Sequence, residues 1–185
     1  MKTITVPTHE QVDEKSQAIF EQLRAKLGVV PNLYATLGYS SNALDSFLAF
    51  SGNAGKGVFS AKEIEAIKLA VSQANGCAYC QAAHTTLAKM NGFSEEETLE
   101  IRSGSIADEK LNVLANLALE VARDAGRASA ETKQRFFDLG YDEKALVEFV
   151  SVVISVTLTN YLFGLTHIPI DFPEVRSLEA ELVEA

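Results

Sequence analysis

Both cysteines of this 185-residue chain and one of its three histidines fall in a single short run, Cys77-Ala78-Tyr79-Cys80-Gln81-Ala82-Ala83-His84. On a helix turning ~100° per residue, Cys77, Cys80 and His84 share one narrow stripe. Thiols one turn apart can be bridged after small adjustment. A cysteine in the first turn of a helix meets free backbone N–H groups and the positive end of the dipole, both of which favour a thiolate. CxxC thiols in that setting titrate below the ~8.5 of a free cysteine. The spacing thus predicts Cys77 as a first-turn thiol favoured as the thiolate. Gly76 breaks the chain between two helices that can fold back on each other. Counting outward from that break, Lys68 comes level with His84, and Glu65 lies one turn from that level. A carboxylate there can orient an imidazole, as in nucleophile–base–orienter arrangements. Glu63 faces another way and serves a helix cap.

Three chemistries compete for this pattern. Small buried cysteines pack as hydrophobes, so the pair can be mere core. Two thiolates and His84 can ligate zinc, but a closed structural site needs a fourth ligand, and His9 and His167 are remote in sequence. A redox pair needs only what is present. The company of His84 and Glu65 favours it, because perturbable groups cluster at functional sites.

The elements that must hold these residues are punctuated by polar caps. Thr8 and Gln11 form a capping box expected to open an amphipathic helix through Val12, Ile19, Leu23 and Leu27, ended by Gly28. Pro31 suits the first turn of a short helix carrying Leu33, Tyr34 and Leu37, and Ser41 is the expected cap of the next. "SGNAGKG" reads as a loop. Ser60 with Glu63, and Ser94 with Glu97, are further capping boxes. Asp108, Ser129 and Asp142 open three more helices, the last reaching Thr166 before Pro169 bars continuation. Phe47, Phe50, Phe59 and Phe93 are expected in the core or a pocket wall. His167 reads as a C-terminal cap and Asp171 as a turn residue. No alternating strand with hairpin turns is evident, so the expectation is an all-α fold, one domain over 1–185.

Composition narrows the classes. An apolar content of 47% suits a globular protein. A net charge of −9 without a basic cluster disfavours nucleic acid. The opening residues lack the apolar core of a secretory signal, and two cysteines make no disulfide framework, so a cytoplasmic location is expected. The uncharged run 149–165 is short of a typical membrane span and carries several hydroxyl side chains. A helix apolar on nearly every side belongs at a domain centre or a subunit interface.

Glu65, eleven intervening residues, Cys77-x-x-Cys80 and then x-x-x-His84 resembles the AhpD (alkyl hydroperoxide reductase D) core of the carboxymuconolactone decarboxylase-like superfamily. The resemblance is close from Ser60 to about Glu97. "GVVPNLYATLGYS" upstream and "NYLFGLTHIPIDFP" downstream resemble its peroxidase-related branch. It implies an AhpD-like helical domain working as a thiol-dependent alkyl hydroperoxidase or disulfide reductase. The catalytic set would be Glu65, Cys77, Cys80 and His84, with no haem, flavin or metal. Cys80 would be oxidised to sulfenic acid and Cys77 would resolve it, with Glu65 and His84 relaying protons. A hydroperoxide would be the substrate and an external dithiol or thiol protein the reductant. Nucleic acid and membrane are not expected partners. A homo-oligomer, trimer or hexamer, is. One departure stands out: characterised members carry a histidine directly before the second cysteine, where this chain has Tyr79. Two other readings stay open. One is a decarboxylase-like lyase or isomerase using His84 and Glu65 as acid–base groups. The other is a non-catalytic helical oligomer with redox-sensing cysteines.

Overall fold

Polar caps divide the chain much as their spacing predicts. The computed structural model describes residues 3–178. Residues 1–2 and 179–185, which the single-domain expectation also took in, lie outside them. Among the described residues are nine α-helices and no strand: α1 (Glu14–Leu27), α2 (Asn32–Leu37), α3 (Ser41–Ala54), α4 (Ala61–Ala74), α5 (Ala78–Met90), α6 (Glu95–Ser103), α7 (Glu109–Arg123), α8 (Ala130–Asp138) and α9 (Glu143–Thr166). The capping boxes of α4 and α6 form as expected, and Asp108, Ser129 and Asp142 cap α7, α8 and α9.

The N-terminal region differs in detail. The Thr8–Gln11 pair closes only a short 3-10 turn, His9–Gln11, and Val12 then runs extended. Asp13 is the competing cap that wins, accepting the Ser16 N–H at 2.7 Å to start α1. Pro31 sits at the N-cap of α2 rather than inside it. Ser40, not Ser41, caps α3, accepting from the Ala43 N–H.

Helix α4 is the hub, packed against α5, α6, α7 and α9. Ala66, Ile67, Leu69, Ala70 and Val71 are all fully buried. Consecutive positions on every side are covered, so α4 runs through the protein rather than along its surface. The larger core gathers around it from α6 to α9 and includes Phe59, Phe93, Phe136 and Phe149. A smaller core joins Phe20, Leu33, Leu37, Leu44 and Phe47 of α1–α3 to Cys77, Tyr79 and Cys80. The CxxC therefore belongs to the second core, against the first. Phe50 is an exception among the expected core phenylalanines: it is exposed.

Helix α9 has the length and composition of a membrane-crossing helix, with mean hydropathy 1.7. One face, with Phe149, Val152, Val153 and Val156, is buried in the larger core. The opposite face carries Val147, Val150, Ile154, Leu158, Tyr161 and Leu165, all exposed. Their spacing of three and four residues makes one continuous apolar stripe.

Candidate active site

The site is made by the turn between α4 and α5. Gly76 adopts φ +62°, a left-handed conformation that glycine enters without a Cβ clash. The reversal lets the Cys77 N–H return to the Ser72 carbonyl at 3.0 Å. From α9, Asn160 accepts from the Asn75 side-chain amide at 2.8 Å and ties the turn down. Folded back in this way, α5 brings His84 Nδ1 to 2.8 Å from Glu65 Oε2, and Lys68 Nζ stands 3.9 Å from Glu65 Oε1. Glu65 is buried. Burial alone would raise its pKa, but the charge and hydrogen bond of His84, with Lys68, outweigh it and hold the carboxyl below its ordinary value. A carboxylate only accepts hydrogen bonds, so Nδ1 carries the proton facing Glu65. That leaves Nε2 as the ring nitrogen open to proton exchange.

Both cysteines are free thiols and nearly fully buried. Cys77 is the N-cap of α5, and its sulfur accepts the Cys80 N–H at 3.2 Å. Cys80 Sγ lies 3.7 Å from Thr159 Oγ1. The preference between the two thiols is the reverse of the first-turn expectation. A hydrogen bond from the Cys77 thiol lowers the Cys80 pKa to about 7 against the penalty of burial, with His84, Thr159 and Asn160 adding to the effect. Donating that same hydrogen bond, together with burial, drives Cys77 upward. The helix dipole acts through the backbone alone, whereas at Cys80 the neighbouring thiol, His84 and Thr159 all favour the thiolate.

Tyr79 has a different task. Its hydroxyl donates to Asp171 Oδ1 at 2.6 Å and accepts the Leu33 N–H at 3.2 Å. Asp171 Oδ2 takes the Asn32 N–H at 2.9 Å. Pro31 offers α2 no side-chain cap, so the unpaired amides of its first turn are satisfied from distant parts of the chain. Asp171 is therefore more than a turn residue. The Tyr79 ring packs on Phe163 and Phe172, and burial, with Asp171, pushes its phenol pKa up. His167 closes α9 as expected, in a left-handed conformation with its N–H on the Phe163 carbonyl.

Cys80 and His84 open onto an apolar cavity of about 330 Å³ walled by Tyr34, Phe47, Val156 and Phe172. Leu27, Val29 and Met90 line it and are themselves exposed to solvent. Among the described residues, no group of three or more His, Cys, Asp or Glu side chains is arranged to hold a metal ion. Sequence reasoning placed Glu65 beside His84 but missed Thr159, Asn160, Phe172 and the α2 cap. Lys68 carried a signal, its level with His84, that went unused.

The family model of the carboxymuconolactone decarboxylase family matches residues 42–124, from α3 past the CxxC run to the end of α7. No curated protein matches the chain significantly. Among solved structures, an uncharacterised peroxidase-related protein with an AhpD core from Ralstonia eutropha JMP134 superposes with a TM-score of 0.78 at 18% identity, over 90% of each chain. A peroxidase-related protein from Silicibacter sp. TM1040 gives 0.76 at 20% identity, over 89% of this chain and 88% of its own. The debrominase Bmp8, in complex with 2,3,4-tribromopyrrole, gives 0.74 at 18% identity, over 100% and 98%. The family match thus runs through the CxxC segment, residues 42–124, and the helical arrangement is shared nearly end to end with these structures, so the chain has an AhpD-like all-α fold.

Proposed function

We propose that the chain is a thiol-dependent hydroperoxidase that cycles Cys77 and Cys80 between dithiol and disulfide. One observation carries the reading: the thiol with the lowered pKa, Cys80, opens on a cavity that also holds His84 on its Glu65 anchor. In the first step the Cys80 thiolate attacks the O–O bond. The distal oxygen becomes its sulfenic acid, and the leaving alkoxide takes a proton through His84 and departs as an alcohol. In the second, the Cys77 sulfur attacks the Cys80 sulfenic acid, releasing water and forming the disulfide. An external dithiol, by two exchange steps through a mixed disulfide, restores both thiols and is itself oxidised. The cycle draws on no metal or organic cofactor, and the reducing cytoplasm suits a pair that must return to the dithiol. Reduction of a disulfide substrate would use the same pair.

The Glu65–His84 pair also suits a lyase or isomerase, in which it moves protons and the cysteines are bystanders. The structural likeness to the debrominase Bmp8 suggests a related use of this chain's own pair: two thiols would reduce an organic bromide to the C–H compound and bromide, forming the Cys77–Cys80 disulfide. Loss of an organic hydroperoxide, with dithiothreitol supplied, should be measured for wild type, Cys80→Ser and Cys77→Ser. Turnover in wild type that is lost in Cys80→Ser is expected. Wild type that leaves the peroxide untouched while both thiols stay alkylatable would remove the proposal.

A further inference from the structure

We infer that the Cys80 cavity takes an apolar substrate bearing one carboxylate, and that Lys68 receives that group. The inference rests on the hydroperoxidase reading only for the reacting end of the molecule, which would make the substrate a carboxylate-bearing organic hydroperoxide.

The cavity is within the roughly 300–1,000 Å³ range of small-molecule sites, at about 330 Å³. Its walls are dominated by aliphatic and aromatic side chains. Lys68 is the one lysine or arginine among its described lining residues, and no aspartate or glutamate lines it. The Lys68 side chain is only 18% exposed. Withdrawing an ammonium from water is costly unless an anion compensates it. Glu65 compensates poorly, because it stands 3.9 Å away through Oε1 while Oε2 is held by His84 at 2.8 Å. Among the described residues, Lys68 has no other ion-pair partner. A largely buried lysine with a loose counter-ion, lining a predominantly apolar cavity, favours a ligand whose carboxylate completes the pair. The exposed Leu27, Val29 and Met90 of the lining leave apolar surface for the rest of such a molecule. A lysine present only to steady Glu65 would affect charged and neutral ligands alike.

That difference gives the test, which needs no turnover. The reduced protein, its Lys68→Met and Lys68→Gln variants, and Lys68→Arg are titrated calorimetrically with 4-phenylbutyrate and with its uncharged amide. A charge-assisted hydrogen bond corresponds to roughly 10-fold or more in affinity. The acid should bind wild type and Lys68→Arg at least about 10-fold tighter than the amide, and Lys68→Met and Lys68→Gln should bind the two equally. Circular dichroism identifies folded variants, and either neutral variant suffices. Equal binding of acid and amide by wild type, an acid preference that survives in a neutral variant, or no binding of either ligand would overturn the inference. An acid preference in a protein that turns over no peroxide would sink the proposed activity and leave this inference standing. Turnover without acid preference would do the reverse.

Discussion

Removing a single oxygen, by Tyr79→Phe, tests the link between the CxxC and α2. Phenylalanine keeps the ring contacts with Phe163 and Phe172 and loses two hydrogen bonds. The amide of Leu33, itself only 2% exposed, would be stranded without a partner. An unsatisfied buried donor costs about 1–3 kcal/mol. Asp171 lies at the surface, so losing the hydroxyl that it accepts costs less, about 1 kcal/mol after solvent screening. The sum is about 2–4 kcal/mol, which for a protein of this length lowers Tm on the order of 10 °C. Urea unfolding with an unchanged m-value would assign the loss to stability rather than to a change in compactness. A double-mutant cycle with Asp171→Asn should give a coupling of roughly 0.5 kcal/mol or more, since the two groups touch. A loss below about 0.5 kcal/mol in Tyr79→Phe would refute the reasoning, because it would mean the hydroxyl does not cap α2.

Mild peroxide treatment should give an intramolecular Cys77–Cys80 disulfide, seen by mass spectrometry as a loss of two hydrogens and a linked peptide; freely alkylatable thiols after excess peroxide would contradict it. With the Cys80 pKa lowered to about 7, alkylation by iodoacetamide should rise through about pH 7 and level off above it. His84→Ala should move that rise to higher pH, and Glu65→Gln should slow disulfide formation, with ~10²-fold or more as the scale for lost acid–base assistance. Burial works against ionisation of Glu63, yet Lys110, Tyr141 and Ser60 hold it down at about 2 from an ordinary 4.5. Its stabilisation is therefore full above about pH 4.5 and lost as pH falls through about 2, so Glu63→Gln should flatten the acid limb of the stability curve. The exposed α9 stripe suits a second copy of the chain, and light scattering on dilute protein should give an oligomer that Ile154→Lys with Leu158→Lys dissociates while helix content holds; a monomeric wild type would end that proposal.

What could be read from the sequence was local. A capping box spans four residues, so Ser60–Glu63 and Ser94–Glu97 announce α4 and α6 without reference to the rest of the chain. Where two polar residues compete nearby, as Thr8 with Asp13 or Ser41 with Ser40, pattern alone picks the wrong one. The Glu65–His84 contact was readable for a related reason: one glycine break joins their helices, and register can be counted from it. Nothing comparable links Tyr79 to Asp171, 92 residues on, or Cys80 to Thr159, 79 residues on. Those contacts depend on how α9 and the segment after it lie over α5. The lowered thiol at Cys80 is in the direction the family resemblance implies, whereas a helix dipole acting alone favours Cys77.

The placement of the site between two cores divides its parts by rigidity. Glu65 and Lys68 come from α4, whose neighbours Ala66, Ile67, Leu69 and Ala70 are fully buried. Rotating α4 to move Glu65 would open the larger core on every side, so the anchor of His84 is fixed by packing rather than by its own hydrogen bond. Cys77, Tyr79 and Cys80 belong instead to the smaller core. That core is held to the larger one partly through Thr159 and Asn160, and to α2 through Tyr79 and Asp171. Within it the Cys77 sulfur already lies over the first turn of α5, where the Cys80 N–H points at it. Closing a disulfide from that starting point asks for side-chain rotation at two residues and little from the helix. The Tyr79 hydroxyl, set between them in sequence, can keep its partners while the sulfurs change state. In the proposed cycle, proton transfer would therefore have a rigid frame, and the sulfurs the small freedom that closing a disulfide asks for.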